Sequence, residues 1–225
     1  DHRNKMIDFY IEFIKIVNPK MLFFENVRGF TIGFKKNKSR GKAYSDYVLG
    51  RLQKLGYNVD GKILDFSEFG IPQRRKRFIL VGIRDGDPNL FFEKIVEIRA
   101  KFLKQKGISE KITLKEAISD LERKNGEIYS VDFDNFKEGV YSKIESNYQR
   151  LLRVNIKKSG PDSHRFANHN QETIKKFLFI IKNCLKNKNI GEDIKTKFGL
   201  QKRCTIPLQK DKESPTLTTL PDDYI

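Results

Sequence analysis

Between Lys5 and Val17 the apolar residues Met6, Phe9, Tyr10, Phe13, Ile14 and Val17 return every three or four positions. That spacing predicts an amphipathic helix packed on a sheet. Pro19 stops it. Met21-Leu22-Phe23-Phe24 then runs apolar without alternation, which predicts a strand buried on both faces of a parallel sheet. The run ends abruptly at Glu25-Asn26-Val27, with Arg28-Gly29-Phe30 behind it. From Phe30 to Lys42 a loop carries Lys35, Lys36, Lys38, Arg40 and Lys42. Tyr44, Tyr47, Val48, Leu52 and Leu55 mark a second helix, which Gly56 closes at its C′ position. Ile63-Leu64-Asp65-Phe66 predicts a short strand, and Arg77 to Ile83 a second, β-branched and apolar. Strand, helix, strand, turn, strand is half of an α/β domain.

Beyond Arg84-Asp85-Gly86-Asp87-Pro88 the texture changes, so a domain boundary is placed near Gly86. A helix is predicted from Asn89 to the region of Leu103, and Thr113-Leu114-Lys115-Glu116 is a capping box that opens a short helix through Leu121. Residues 123–165 are polar and irregular. Gln171 to the region of Leu185 predicts a helix whose apolar side is Ile174, Phe177, Leu178, Ile181 and Leu185. The Lys/Asn-rich stretch 186–212 leads into Ser214-Pro215-Thr216-Leu217-Thr218-Thr219-Leu220-Pro221-Asp222-Asp223-Tyr224. No internal repeat is visible.

Charge changes this picture more than composition does. With 225 residues, 38% hydrophobic and 33% charged, the chain can build a core, and Phe (18) and Tyr (8) supply much of it in the absence of Trp. Lys and Arg outnumber Asp and Glu by 45 to 29, giving +16 and a pI near 9.7. Such a balance suits a polyanion, whose neutralised phosphates release counterions. A lysine-rich solvated surface is the other reading, because the acids are well mixed with the lysines. Cys184 and Cys204 form no CxxC, and His2, His164 and His169 are scattered, so neither a disulfide scaffold nor a metal site is expected. A reducing cytoplasm is the expected compartment, and no signal peptide or membrane-length apolar run is present. The chain opens at Asp1 directly into a helix, and reads as a piece of something longer.

Three places carry candidate chemistry. Ligands of open α/β sheets bind past the carboxyl ends of strands, so Glu25 at the mouth of an apolar layer is expected to be partly desolvated, with its pKa tending upward. It is a candidate proton donor, or else Glu25 and Asn26 cap the next element. The basic loop through Arg40 and Lys42 suits phosphate contact or simple solvation. Phe69-Gly70-Ile71-Pro72-Gln73-Arg74-Arg75-Lys76-Arg77 forces a turn and then enters a strand. Arg75 and Arg77 share one face of it, Arg74 and Lys76 the other. Two guanidiniums aimed at one point can hold a carbonyl oxygen, a carboxylate or a phosphate, whereas a basic edge strand is the plain alternative.

In this order the residues resemble the DNA cytosine-5 methyltransferases. The resemblance is carried by Pro19-Lys20 leading to Phe24-Glu25-Asn26-Val27, by Leu55-Gly56-Tyr57, and by Gly70 to Arg77 before a strand. Asp1-His2-Arg3, Thr113 to Leu121, and Ser214 to Tyr224 are similar to further family segments. The resemblance is strong over 1–86 and 214–225 and weak through most of 123–213. It implies the C-terminal half of a Rossmann-like methyltransferase sheet in 1–86. A smaller, irregular α+β target recognition domain would follow in 87–213, with 214–225 returning to the catalytic domain.

By the same resemblance, S-adenosylmethionine donates a methyl group to C5 of a cytosine flipped out of a specific duplex sequence, as in restriction-modification systems. Glu25 would hydrogen-bond or protonate N3 so that a thiolate can attack C6. Arg77, with Arg75 beside it, would orient the base through O2, and Asn26 would brace the surrounding loops. Gln73, Arg74, Arg40 and Lys42 would contact substrate, and Met6 would line the cofactor pocket. Lys143, Arg150, Arg153, Lys157, Lys158, Arg165, Lys202 and Arg203 are candidate phosphate or base contacts, unranked. The implied partner is double-stranded DNA, with no membrane or metal, bound by a protein that is monomeric at full length.

Two family parts have no counterpart in these residues. Neither Cys184 nor Cys204 stands in a Pro-Cys loop, and no two glycines lie two apart as a cofactor loop needs. The 225-residue chain alone is therefore expected neither to bind S-adenosylmethionine tightly nor to methylate DNA. A non-catalytic sequence-specific DNA-binding module and a tRNA cytosine-5 methyltransferase are the competing readings. The long variable 123–213 segment favours duplex DNA, because reading a duplex needs added surface.

Overall fold

The computed structural model describes residues 2–33, 35–36, 39–40, 43–156, 160–218 and 223–225, and only the backbone of 2–5, 35–36 and 39–40. In chain order its elements are α1 (His2–Val17), β1 (Met21–Val27), β2 (Lys35–Lys36), β3 (Ser39–Arg40), α2 (Tyr44–Lys54), β4 (Asn58–Asp65) and β5 (Lys76–Ile83). There follow α3 (Asn89–Lys106), α4 (Leu114–Ile118), β6 (Glu127–Tyr129), β7 (Lys137–Gly139), α5 (Asn147–Leu152), α6 (Gln171–Asn183), α7 (Glu192–Phe198), β8 (Thr205–Ile206) and β9 (Asp223–Tyr224). They divide into two compact units, Asp1–Phe66 with Arg75–Phe102, and Ser67–Arg74 with Leu103–Ile225.

The first unit is built on a sheet of order β1-β5-β4. β5 runs antiparallel to both neighbours, so β1 and β4 are parallel to each other with a reversed strand between them. The parallel sheet expected around β1 is corrected accordingly. The cause is local, since the link Phe66–Arg75 is too short for a crossover, whereas β1 and β4 are separated by all of α2. β4 also starts earlier than the Ile63 expected. Asn58, Asp60 and Gly61 look unlike strand residues, but Gly61 is needed there because the Phe78 ring lies 2.4 Å from where its Cβ would fall.

One face of this sheet carries the core, in which Ile7, Ile11 and Ile14 of α1 and Val48 and Leu52 of α2 meet Leu22, Tyr57, Phe78 and Leu80. The stripe of α1 that packs is thus Ile7-Ile11-Ile14. Met6, Phe9, Phe13 and Val17, expected against the sheet, are 61%, 66%, 58% and 51% exposed. Nor is β1 buried on both faces. Leu22 and Phe24 turn to the core, while Met21 and Phe23 stay about half exposed at 48% and 52%. On that second face Phe23 meets the α3 ring Phe91 edge to face, at 5.2 Å between ring centres. Arg84 closes the unit at one end. It donates to Leu55 O at 3.0 Å, bonds Asn18 Oδ1, and stacks 4.3 Å from the Tyr57 ring. Tyr57 in turn donates to Pro19 O at 2.6 Å.

In the second unit the capping box forms as expected, with Thr113 and Glu116 exchanging bonds at the start of α4. Its interior is partly polar. Gln149 Nε2 donates to Ser119 Oγ at 2.9 Å, and Arg153 donates to Asp120 Oδ2 at 3.0 Å and Ser142 O at 2.9 Å. In α6, capped by Asn170, Ile180 is buried. Leu178 and Leu185, expected on its buried side, are 60% and 71% exposed. The irregular stretch 123–165 contains the β6–β7 hairpin and α5, and α7 arises within the Lys/Asn-rich tail. Ser214 bridges to Gln73 in parallel, taking Pro72 O and giving its own carbonyl to Arg74 N–H at 2.8 Å. The segment 214–216 thus lies against the Pro72–Arg74 turn.

Candidate active site

Register decides what meets Glu25. Glu25 is opposite Ile79 and Val27 is opposite Arg77, so Glu25 and Arg77 are diagonal neighbours on one face of an antiparallel pair. Arg77 Nε lies 2.8 Å from Glu25 Oε1. Its Nη1 donates to Lys76 O at 2.9 Å, so the guanidinium is held at two points. The arginine side chain is 14% exposed and the carboxylate 56%. The partial desolvation expected of Glu25 is therefore absent, because the face it shares with Met21, Phe23 and Val27 is open. Glu25 Oε2 has no partner among the described residues. The site thus offers one carboxylate oxygen and the outer edge of a fixed guanidinium on the same open face.

The other expected residues are placed differently. Asn26 points to the opposite face of β1 from Glu25, and its Oδ1 accepts from Val27 N–H at 2.8 Å. Arg75 precedes β5 and is half-buried. Its carbonyl accepts from Phe66 N–H at 3.0 Å, and its guanidinium has no ion-pair partner among the described residues. Lys76 turns the other way, 3.7 Å from Asp65 Oδ2, a partner the sequence did not signal. Gln73 donates its N–H to Ile71 O at 2.7 Å, and Arg74 is exposed, its carbonyl taking the Thr216 hydroxyl at 2.6 Å. Thr216 was not expected either. Arg40 is described only as backbone in the β2–β3 ribbon, and Lys42 lies outside the described residues.

The described residues do not make a complete cofactor cradle. Met6 stands 61% exposed on α1, and no two glycines of the sequence lie two apart. Among the described residues no group of three or more His, Cys, Asp or Glu could hold a metal, and no helix is long and apolar enough to cross a membrane. Cys184 and Cys204 are half-buried and outside any Pro-Cys turn.

The first unit is thus a sheet with one reversed strand, on which Glu25 of β1 and Arg77 of β5 stand side by side. A solved structure described as a DNA modification methyltransferase encoded within an E. coli prophage aligns with 100% of this chain and 60% of its own, at a TM-score of 0.51 and 13% identity. The model of the C-5 cytosine-specific DNA methylase family matches residues 1–225. The chain belongs to that family. Type II methyltransferase M.MthTI of Methanothermobacter thermautotrophicus is 31% identical over 163 residues, 68% of this chain and 43% of that protein. Type II methyltransferase M.XorII of Xanthomonas oryzae pv. oryzae is 34% identical over 90 residues, 39% of this chain and 20% of that protein. The chain thus spans less than half the length of either relative.

Proposed function

We propose that this chain is part of an enzyme that methylates C5 of a cytosine flipped out of a specific DNA duplex, in a Type II restriction-modification setting. The observation that carries this reading is the Glu25–Arg77 pair, fixed by register on an open face. Glu25 Oε2 is free to hydrogen-bond the base at N3, and so to make C6 accept a nucleophile. Arg77, already oriented by Glu25 and Lys76 O, presents its remaining N–H groups to the base O2. Arg75 adds a second cation beside it, while Gln73 and Arg74 serve the substrate and Asn26 stiffens the exit of β1.

In this reading residues 1–86 are part of the catalytic domain, 87–213 recognise the target, and 214–225 lead back. S-adenosylmethionine supplies the methyl group in the whole enzyme, with Met6 lining its pocket and most of the pocket formed by other residues. The thiolate that adds to C6 is likewise supplied by a residue other than Cys184 or Cys204. Two experiments test the reading. Bisulfite sequencing of DNA from cells expressing the whole gene should show protected cytosines in one recurrent sequence context, and their absence refutes it. Labelled-methyl transfer should be given by the whole protein and not by the 225-residue chain, so turnover by the chain refutes the assignment of the missing parts.

A further inference from the structure

We infer that Arg165 reads a guanine edge in duplex DNA, held in position by an aromatic clamp on the β6–β7 hairpin. The inference rests on the DNA reading proposed above and concerns which residue of the second unit gives it sequence selectivity.

The basic side chains of this unit are not equivalent. Arg153 is taken up internally by Asp120 and Ser142, with its guanidinium 4.0 Å from the Tyr141 ring. Lys195 is buried against Glu192 and Arg203 O. Arg123 and Lys137 share Glu127, and Lys124 and Lys210 share Glu122. Arg150 donates to Asn147 Oδ1 at 2.5 Å. Arg165 is exposed and meets no carboxylate among the described residues. Its guanidinium carbon lies 4.2 Å from the Phe133 ring centre and 4.6 Å from that of Phe136.

Both partners of this clamp are anchored. The main chain of Arg165 bridges Glu138 of β7, flanked by Gly139 N–H to His164 O at 3.2 Å and Phe166 N–H to Lys137 O at 2.9 Å. The hairpin loop is organised by Ser130, whose N–H donates to Phe136 O at 3.0 Å and whose hydroxyl accepts from Phe133 N–H at 3.2 Å. Beyond it the loop stands out, with Val131 92% exposed.

Stacking on two rings engages the faces of a guanidinium and leaves its rim of N–H donors outward in a fixed plane. Such a fork matches the O6 and N7 acceptors of guanine in the major groove. A phosphate contact is disfavoured at this place, because Asp132 and Asp134 share the exposed loop and repel the backbone. Those two carboxylates are tolerable beside a base edge, where cytosine N4–H₂ is a donor.

The test is selection from a randomised duplex library by the full 225-residue chain, followed by competition binding on the selected duplex and a scrambled one. The wild-type chain should enrich a sequence containing a guanine. Arg165→Ala should lose the preference at one guanine and bind the selected duplex about tenfold more weakly. Scrambled-duplex binding, set by the total of phosphate contacts, should change less than about twofold. Arg165→Lys, which keeps the charge and loses the fork, should show the same lost preference, and it decides the matter if the alanine variant fails to fold. Equal losses on both duplexes, or none, overturn the inference and leave the DNA reading standing. So does wild-type binding without enrichment. Failure of the wild-type chain to bind any duplex also overturns the inference, while the bisulfite test on the whole gene decides the DNA reading.

Discussion

Glu25 accepts from Arg77 Nε at 2.8 Å across a diagonal of the β1–β5 pair, and this contact depends on a register set many residues away from it. A one-residue slip would turn every side chain of β1 to the other face and bring Phe24 to the position of Glu25. The chemistry proposed for Glu25 therefore depends on the packing that locks β5.

Replacing Glu25 by Gln in the whole protein should lower methyl transfer by about 10²- to 10⁴-fold, the range for a lost general acid. The fold should lose little, because glutamine keeps an oxygen that can accept from Arg77 and the Glu25 side of the pair is 56% exposed. Labelled-methyl transfer and thermal melting of one preparation check both halves. An equal fall in activity and melting temperature would instead make Glu25 structural.

Gly61→Ala should destabilise the first unit by about 1–3 kcal/mol, because the Phe78 ring occupies the space and, at 3% exposure, has nowhere to swing. Phe78→Leu opens a cavity by itself but should lessen the cost of Gly61→Ala. A double-mutant cycle in urea would show this as a favourable coupling.

Arg84→Ala removes two hydrogen bonds and the stacking on Tyr57, which together tie the ends of α1, α2 and β5. The loss should be about 1–2 kcal/mol, as a half-buried carbonyl loses a charged donor and the Tyr57 ring loses its cation. Arg84→Lys should recover little, since one ammonium cannot span Leu55 O and Asn18 Oδ1 while stacking. Hydrogen exchange at Leu55 and Tyr57 should accelerate in both variants.

Glu122 contributes to the acid sensitivity of the second unit, as do Glu127 and Glu172, whose carboxyl pKa values are lowered in the same way. Hydrogen bonding from Lys124, then from Lys210, holds the Glu122 carboxyl below the usual carboxylate range. A group whose pKa is depressed by folding contributes stability that is complete above its unfolded pKa and fades as pH falls through the folded value. The contribution of the Glu122 pairs should therefore be intact at neutral pH and fade below the ordinary carboxylate range. Glu122→Gln should flatten that acid limb of a melting-temperature profile and leave the alkaline side unchanged.

Helix ends and the capping box were legible in the sequence because their signals are local, as in Pro19 after α1, Gly56 after α2, and Thr113 with Glu116 at α4. The sense of β5 was less so, since direction follows from connection length and an apolar run looks alike in parallel and antiparallel sheets. Faces were harder still. α1 is apolar on two stripes, and nothing local says that Ile7 and Ile11 are covered while Phe9 and Phe13 are not. The order of Glu25 and Arg77 along the chain is readable, but their meeting requires the β1–β5 register. The clamp on Arg165 was not readable, because Phe133 and Phe136 lie some thirty positions before it and only the β7 bridge brings them together.

Among the described residues β1 is an outer strand of its sheet, and its Met21 and Phe23 are exposed, as is Ile16 of α1. An unpaired strand edge with apolar flanks is a template for a second copy. Self-association of this chain should therefore rise with its concentration. Dilute stocks will outlast concentrated ones, and a lysine in place of Ile16, the most exposed apolar residue of α1 at 81%, will slow turbidity without touching the core.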